Sequence, residues 1–326
     1  MPAPIAMTLG DPSGVGPEIA LKSWASIGSD IPFFVIGDTT LLTDLGRSMG
    51  IDVRIIKSPQ EVSEGSFCVI AQDFKDVPRP GELQLANASG TIEAIERAVS
   101  FVKSGEALAV VTNPINKMVL VEGASFAHPG HTEFLAELDG KDASVMMLAT
   151  PDLRVVPVTI HIPLKDVSKS LTPGLMQDTI ETVAASLVTD FGIKTPRIAV
   201  AGLNPHAGEG GVLGVEEIAF IAPVLEDLRS KGMNIRGPMS ADTMFHARAR
   251  AEYDVAICMY HDQALIPIKT IDFDRGVNVT LGLSFVRTSP DHGTAYDIAG
   301  KGLANPTSLI EAVKMAHTMG LNRVNA

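Results

Sequence analysis

Short apolar runs alternate with longer stretches in which apolar residues recur every three or four positions, almost from end to end of the chain. The runs IAMTLG, FFVIG, FCVIAQ, ALAVVTN, RVVPVTI, RIAVAGL, DVAICMY and VNVTLGL predict strands. Several are apolar at successive positions, as in parallel strands covered by helices on both faces. Helical periodicity covers 16–28, 89–104, 173–191, 214–231 and 306–319. Thr172 and Pro173 supply an N-cap and a proline at the first helical position, and Gly192 and Gly232 stand where helices end. Pro223 lacks an N–H, so it should kink or split the 214–231 pattern. Strands alternating with helices predict an α/β protein with mostly parallel sheets flanked by helices.

The chain has 326 residues, 45% of them hydrophobic, enough for about two domains. No repeat, low-complexity tract or compositional break marks a linker, so the domains are expected to share strands. No apolar run reaches the roughly 18 residues of a membrane span. The N-terminal stretch MPAPIAMTLGDPSG lacks the basic head and apolar stretch of a signal peptide. Cys68 and Cys258 lie in apolar runs and read as buried thiols in a reducing compartment. The expectation is a cytoplasmic protein with no membrane partner. A net charge of −12 speaks against nucleic acid, which needs clustered Lys and Arg, but not against a small anion in a locally basic cleft.

Functional residues of open α/β sheets gather beyond the C-terminal ends of strands. His161 follows RVVPVTI, His206 follows RIAVAGLNP, and His261 with Asp262 follows DVAICMY. Three imidazoles at equivalent topological positions suit a divalent metal with open positions for substrate; the other reading is three loop residues satisfied locally. His246 and His317 fall in helical patterns. His131 and Thr132 stand at a helix start, where Thr132 could serve as an N-cap. Downstream of His261, Lys269, Arg275, Asn278 and Arg287 could hold a phosphate by charge-assisted hydrogen bonds, or the cations could make ordinary surface ion pairs. Neither GDPSGVGPE nor GEGGVLG fits G-x-G-x-x-G, and no P-loop is present.

The segment DHGTAYDIAGKGLANP resembles the cofactor loop of the isocitrate and isopropylmalate dehydrogenase fold. With GDPSGVGPE, TNPINK, GHTEF, MMLAT, GLNPHAGEGG, ADT, MYHDQALIPIK, GVNVTLGL and RTSPDHGTA, the chain resembles the 4-hydroxythreonine-4-phosphate dehydrogenase family from about residue 5 to about residue 315. The resemblance implies the two-domain isocitrate/isopropylmalate dehydrogenase-like fold. It implies NAD-dependent oxidation of 4-phosphooxy-L-threonine, with NADP as the alternative dinucleotide. Decarboxylation to 3-amino-2-oxopropyl phosphate follows, in vitamin B6 biosynthesis. It implies one divalent ion (zinc, cobalt, magnesium or manganese) on His161, His206 and His261. Substrate contacts carry over to His131, Thr132, Lys269, Asn278 and Arg287; cofactor contacts carry over to Gly293, Thr294, Ala295, Asp297 and Asn305. Asp242 and Asp262 fall on motif positions near the substrate and, with Lys269, are candidates for the proton acceptor. A homodimer with the active site at the subunit interface is implied.

On this reading residues 1–125 and 262–326 form a cofactor-side domain, and 126–261 a metal and dimerisation domain. Ser284 stands where the family leads one to expect proline. Related dehydrogenases of sugar-acid phosphates or of a cyclic diol dicarboxylate share these motifs. A metal-dependent phosphohydrolase would use the histidines and the phosphate clamp, but would leave the 291–306 loop without a purpose.

Overall fold

The computed structural model describes residues 2–128 and 130–325. Its strands are β1 (Ile5–Thr8), β2 (Phe33–Gly37), β3 (Val53–Ile56), β4 (Phe67–Ala71), β5 (Val110–Thr112), β6 (Val145–Thr150), β7 (Leu153–Thr159), β8 (Arg197–Ala201), β9 (Asn234–Met239), β10 (Val255–Tyr260), β11 (Val277–Leu281) and β12 (Arg287–Pro290). Its α-helices are α1 (Gly16–Ile27), α2 (Thr39–Met49), α3 (Ala88–Lys103), α4 (Lys117–Ala124), α5 (His131–Asp139), α6 (Val167–Ser170), α7 (Pro173–Thr189), α8 (Ala222–Ser230), α9 (Ala247–Arg250), α10 (His261–Ile271) and α11 (Thr307–Asn325). All eight expected runs form strands. The strands not expected are β3 and β9, β6 with its adjacent methionines, and the polar but buried β12.

The chain divides into two units, one ending at Ser144 and resuming over Leu283–Asn325, the other Val145–Gly282. The first unit thus takes residues from both the N-terminal and the C-terminal part of the chain, with crossings at Ser144/Val145 and Gly282/Leu283. Packing sets them. Phe134, Leu135 and Ala136 of α5 sit in the core of the first unit, while α10 packs on β7 and β10 and β11 pairs with β6 in the second.

In the first unit the strand order is β3-β4-β2-β1-β5-β12, with every neighbouring pair parallel. Helix α3 packs on β1, β2 and β5, and α11 packs on β12 and β5. Phe34, Ile36, Ile70, Ile95, Val110 and Leu120 lie in its core.

In the second unit the order is β11-β6-β7-β10-β8-β9. Pairs β11/β6 and β6/β7 are antiparallel; β7/β10, β10/β8 and β8/β9 are parallel. Helix α7 has Thr172 as its N-cap, accepting from the Leu175 N–H. It buries Met176, Ile180, Val183 and Leu187, four positions on one helical face, and packs on β6, β7 and β11. Pro223 does split its pattern: a π-helical turn over Glu217–Ile221 precedes α8.

Candidate active site

Strands β7, β10 and β8 are parallel neighbours, so their C-terminal ends lie at one edge of the second unit's sheet. His161 lies two residues past β7, His261 is the first residue of α10 directly after β10, and His206 lies five residues past β8. The rings of His161 and His261 have centroids 5.7 Å apart, inclined at 45°. With Leu164, Val167, Tyr260 and Asp262 they line a cavity of about 270 Å³. His261 Nδ1 lies 2.7 Å from Asp262 Oδ1. With the proton on Nδ1, the imidazole donates to the carboxylate and leaves Nε2 as a free lone pair, the form a metal ligand needs.

His206 is exposed and has φ +52°. Among the described residues, no three His, Cys, Asp or Glu side chains of the chain gather into a metal-holding group. The structure therefore brings His161 and His261 together and does not group His206 with them.

Lys269 is two helical turns beyond His261 on α10, its Nζ 5.5 Å from the Phe273 ring centroid. Asn278 is on β11, and its Oδ1 is buried without a hydrogen-bond partner among the described residues. Asp242 occupies the exposed turn Ala241–Thr243 and accepts from the Ser240 hydroxyl at 2.5 Å. Arg275 pairs with Asp272 at 2.6 Å, the ordinary ion pair that was the other reading of this cation.

The remaining expected contacts lie in the first unit. Arg287 opens β12 beside β5 and is 2% exposed. Its Nε and Nη2 donate to Thr112 Oγ1 at 3.2 and 2.6 Å, and burial pushes the guanidinium down to about 9. His131 is the first residue of α5, capped by the extended Gly130, so Thr132 lies inside the first turn and is not the N-cap. His131 Nε2 is buried and has no hydrogen-bond partner among the described residues. Burial, and then the Arg287 charge, hold its pKa well below the ordinary histidine value. A neutral imidazole beside a buried guanidinium makes a site that favours an anion.

Gly293, Thr294, Ala295, Asp297 and Asn305 lie on the segment between β12 and α11, with Ala295 at φ +44°. This segment packs on the loop after β1. Tyr296 donates its hydroxyl to Asp11 Oδ2 at 2.6 Å, and the Val15 N–H donates to Thr294 O at 2.9 Å. A Cβ on Gly14 would stand 2.9 Å from Thr294 O, so the close approach requires glycine. Asp11 has a raised pKa because burial outweighs its hydrogen bonds from Tyr296 and Ser13. Asn305 Oδ1 accepts from the Thr307 N–H and hydroxyl at 3.0 and 2.7 Å. Asp11, Tyr296 and Thr112 received no role from the sequence. Their motifs GDPSGVGPE and TNPINK were visible, but their partners lie far off in the chain.

The family described as "Pyridoxal phosphate biosynthetic protein PdxA" matches residues 30–316. The chain is 54% identical over 323 residues to the 4-hydroxythreonine-4-phosphate dehydrogenase of Roseobacter denitrificans, covering 99% of this chain and 98% of that one. It is similar to the crystal structure of 4-hydroxythreonine-4-phosphate dehydrogenase from Klebsiella pneumoniae, with TM-score 0.88, 37% identity and coverage of 98% and 99%. A terephthalate 1,2-cis-dihydrodiol dehydrogenase from Burkholderia xenovorans is less similar, with TM-score 0.69, 27% identity and 98% of both chains covered.

Proposed function

The chain belongs to the 4-hydroxythreonine-4-phosphate dehydrogenase family of pyridoxal phosphate biosynthesis, and from that premise we propose how it acts as an oxidoreductase. The substrate is 4-phosphooxy-L-threonine. Its 3-hydroxyl is oxidised to a ketone, and the resulting β-keto acid loses carbon dioxide to give 3-amino-2-oxopropyl phosphate. NAD is the hydride acceptor. The observation that carries this reading is the likeness over the whole chain; the placement of anion-binding and imidazole groups supports it.

His161, His206 and His261 are the residues to hold a divalent ion, an all-imidazole set that leaves the ion its full charge. When bound, such an ion withdraws electron density from the substrate oxygens. The two adjacent rings and the Asp262 contact to His261 support this assignment. Asp262 then orients His261, so the proton acceptor for the substrate hydroxyl is Asp242 or Lys269.

Arg287, Lys269 and Asn278 bind the phosphate, and His131 and Thr132 orient the amino acid end. The partnerless buried atoms His131 Nε2 of the first unit and Asn278 Oδ1 of the second each support a polar ligand beside that residue, because an unpaired buried polar group is otherwise costly. Gly293, Thr294, Ala295, Asp297 and Asn305 hold the dinucleotide.

The active unit is a homodimer with its site at the interface. The exposed apolar side chains Leu164, three residues past His161, and Val212, six residues past His206, at 73% and 81% exposure, are the apolar surface that supports it. The test follows NADH absorbance with NAD, a divalent salt and 4-phosphooxy-L-threonine. NADH with carbon dioxide release is expected; inorganic phosphate without NADH would instead indicate a hydrolase.

A further inference from the structure

The segment between β12 and α11 is held on both sides of a strained residue. Ala295 has φ +44°, left-handed without being glycine. Such a residue persists only where its surroundings over-determine it. Just before it, the Thr294 carbonyl accepts the Val15 N–H at 2.9 Å; just after it, the Tyr296 hydroxyl donates to Asp11 Oδ2 at 2.6 Å. Both anchors come from the chain that follows β1.

The anchors are themselves fixed. Asp11 is 6% exposed, and its Oδ1 accepts the Ser13 N–H at 2.9 Å. Burial, and then the Asp11 hydrogen bond, push the Tyr296 phenol above its ordinary pKa, so it stays a donor. The chain between β4 and α3 closes the arrangement. The Gly81 N–H donates to Ser13 O at 2.8 Å, and the buried Ser13 hydroxyl donates to Gln84 Oε1 at 2.8 Å. A Cβ on Gly81 would stand 3.0 Å from Tyr296 O, so this backbone lies directly against the tyrosine. Gly293 is different: its own chain neighbours aside, no described atom lies within 4 Å of where a Cβ would stand. The backbone there is open to the close approach of a ligand, as a dinucleotide segment requires.

We propose that Asp11 and Tyr296 are positioning residues for the dinucleotide segment: their hydrogen bond, with that of Val15 to Thr294, holds Ala295 left-handed and sets residues 293–297 in their binding shape before the cofactor arrives. This rests on the cofactor assignment made above. A segment ordered in advance loses less conformational freedom on binding, so affinity rises without any new contact to the ligand. An apolar ring at the same place would fill the space but leave Asp11 Oδ2 without its donor and the segment without its second anchor.

The test titrates full-length protein with NADH and follows the dinucleotide's fluorescence, with the thermal midpoint measured alongside. Tyr296→Phe removes only the hydroxyl. The NADH Kd should rise about 10-fold, the equivalent of one hydrogen bond to a charged group, while the KM for 4-phosphooxy-L-threonine stays at the wild-type value. A lowered midpoint with wild-type NADH affinity would mean a merely structural role and overturn the inference. Gly14→Ala reaches the same segment without touching either side chain, because its Cβ would stand 2.9 Å from Thr294 O. It should raise the NADH Kd as well; should Tyr296→Phe not fold, an unchanged Kd in Gly14→Ala overturns the inference in its place. Asp297→Ala, at an exposed position of the same segment, separates the two ideas. Weakened NADH binding there with wild-type affinity in Tyr296→Phe defeats the positioning role alone, whereas undiminished affinity in both defeats the cofactor assignment and the inference with it.

Discussion

His131 couples its own protonation to folding. Its folded pKa lies well below the unfolded value of 6.5, so between the two the unfolded chain binds the extra proton. Stability is therefore full above about pH 6.5 and falls as pH drops below it, with a limiting slope of about 1.4 kcal/mol per pH unit for one proton. Urea unfolding of His131→Gln should show a shallower acid decline than wild type; an identical pH profile would contradict the burial of the neutral ring. Arg287 is the other residue with a sharp expectation. Arg287→Lys keeps the charge but loses the fork that grips Thr112. KM for the phosphorylated substrate should rise about 10- to 100-fold, the equivalent of one charge-assisted hydrogen bond of roughly 1.5–3 kcal/mol. An unchanged KM would remove Arg287 from the phosphate site.

Between elements, two buried carboxylates fix segments that carry no regular structure. Glu18 in the first turn of α1 accepts from Lys22 Nζ at 2.7 Å, the Ala304 N–H at 2.9 Å and the Gly302 N–H at 3.2 Å. It anchors the chain just before Asn305. Glu18→Gln should raise the KM for NAD and leave that for the amino acid substrate unchanged; equal KM values for NAD would show that this segment does not shape the cofactor site. Asp139, with a 1% exposed side chain, accepts both the Ser284 N–H and the Ser284 hydroxyl, with Lys103 3.6 Å away. Ser284→Pro removes both donors, and denaturant unfolding should record a loss of about 2–4 kcal/mol. At this position serine is thus an interaction partner, a role the departure from proline did not reveal.

At the scale of the whole molecule, the exposed apolar residues beside the histidines set the expectation. If the proposed dimer holds, Val212→Asp with Leu164→Asp should convert it to monomer in sedimentation and reduce turnover together. A variant that stays dimeric would place the interface elsewhere. The α/β class, eight strands and the split at Pro223 were legible because apolar runs, periodicity and proline act over a few residues. β3 and β9 were not, since their exposed, mixed residues give no periodic signal, and polar β12 reads as a loop although all four residues are buried. The histidines were legible as strand-end residues. That β7, β10 and β8 are neighbours, and that His161 and His261 therefore meet, depends on strand order, which pairing between distant segments decides. The same holds for Glu217 and Asn204, or Tyr296 and Asp11: the residues stand in plain view, but hydrogen bonds across the fold choose their partners. The chain by itself determined eight of the strands, the family and the chemistry on offer, because these reside in local pattern and motif. Only the tertiary structure decided which side chains are buried together and which lack partners, because burial and satisfaction are properties of packed neighbours.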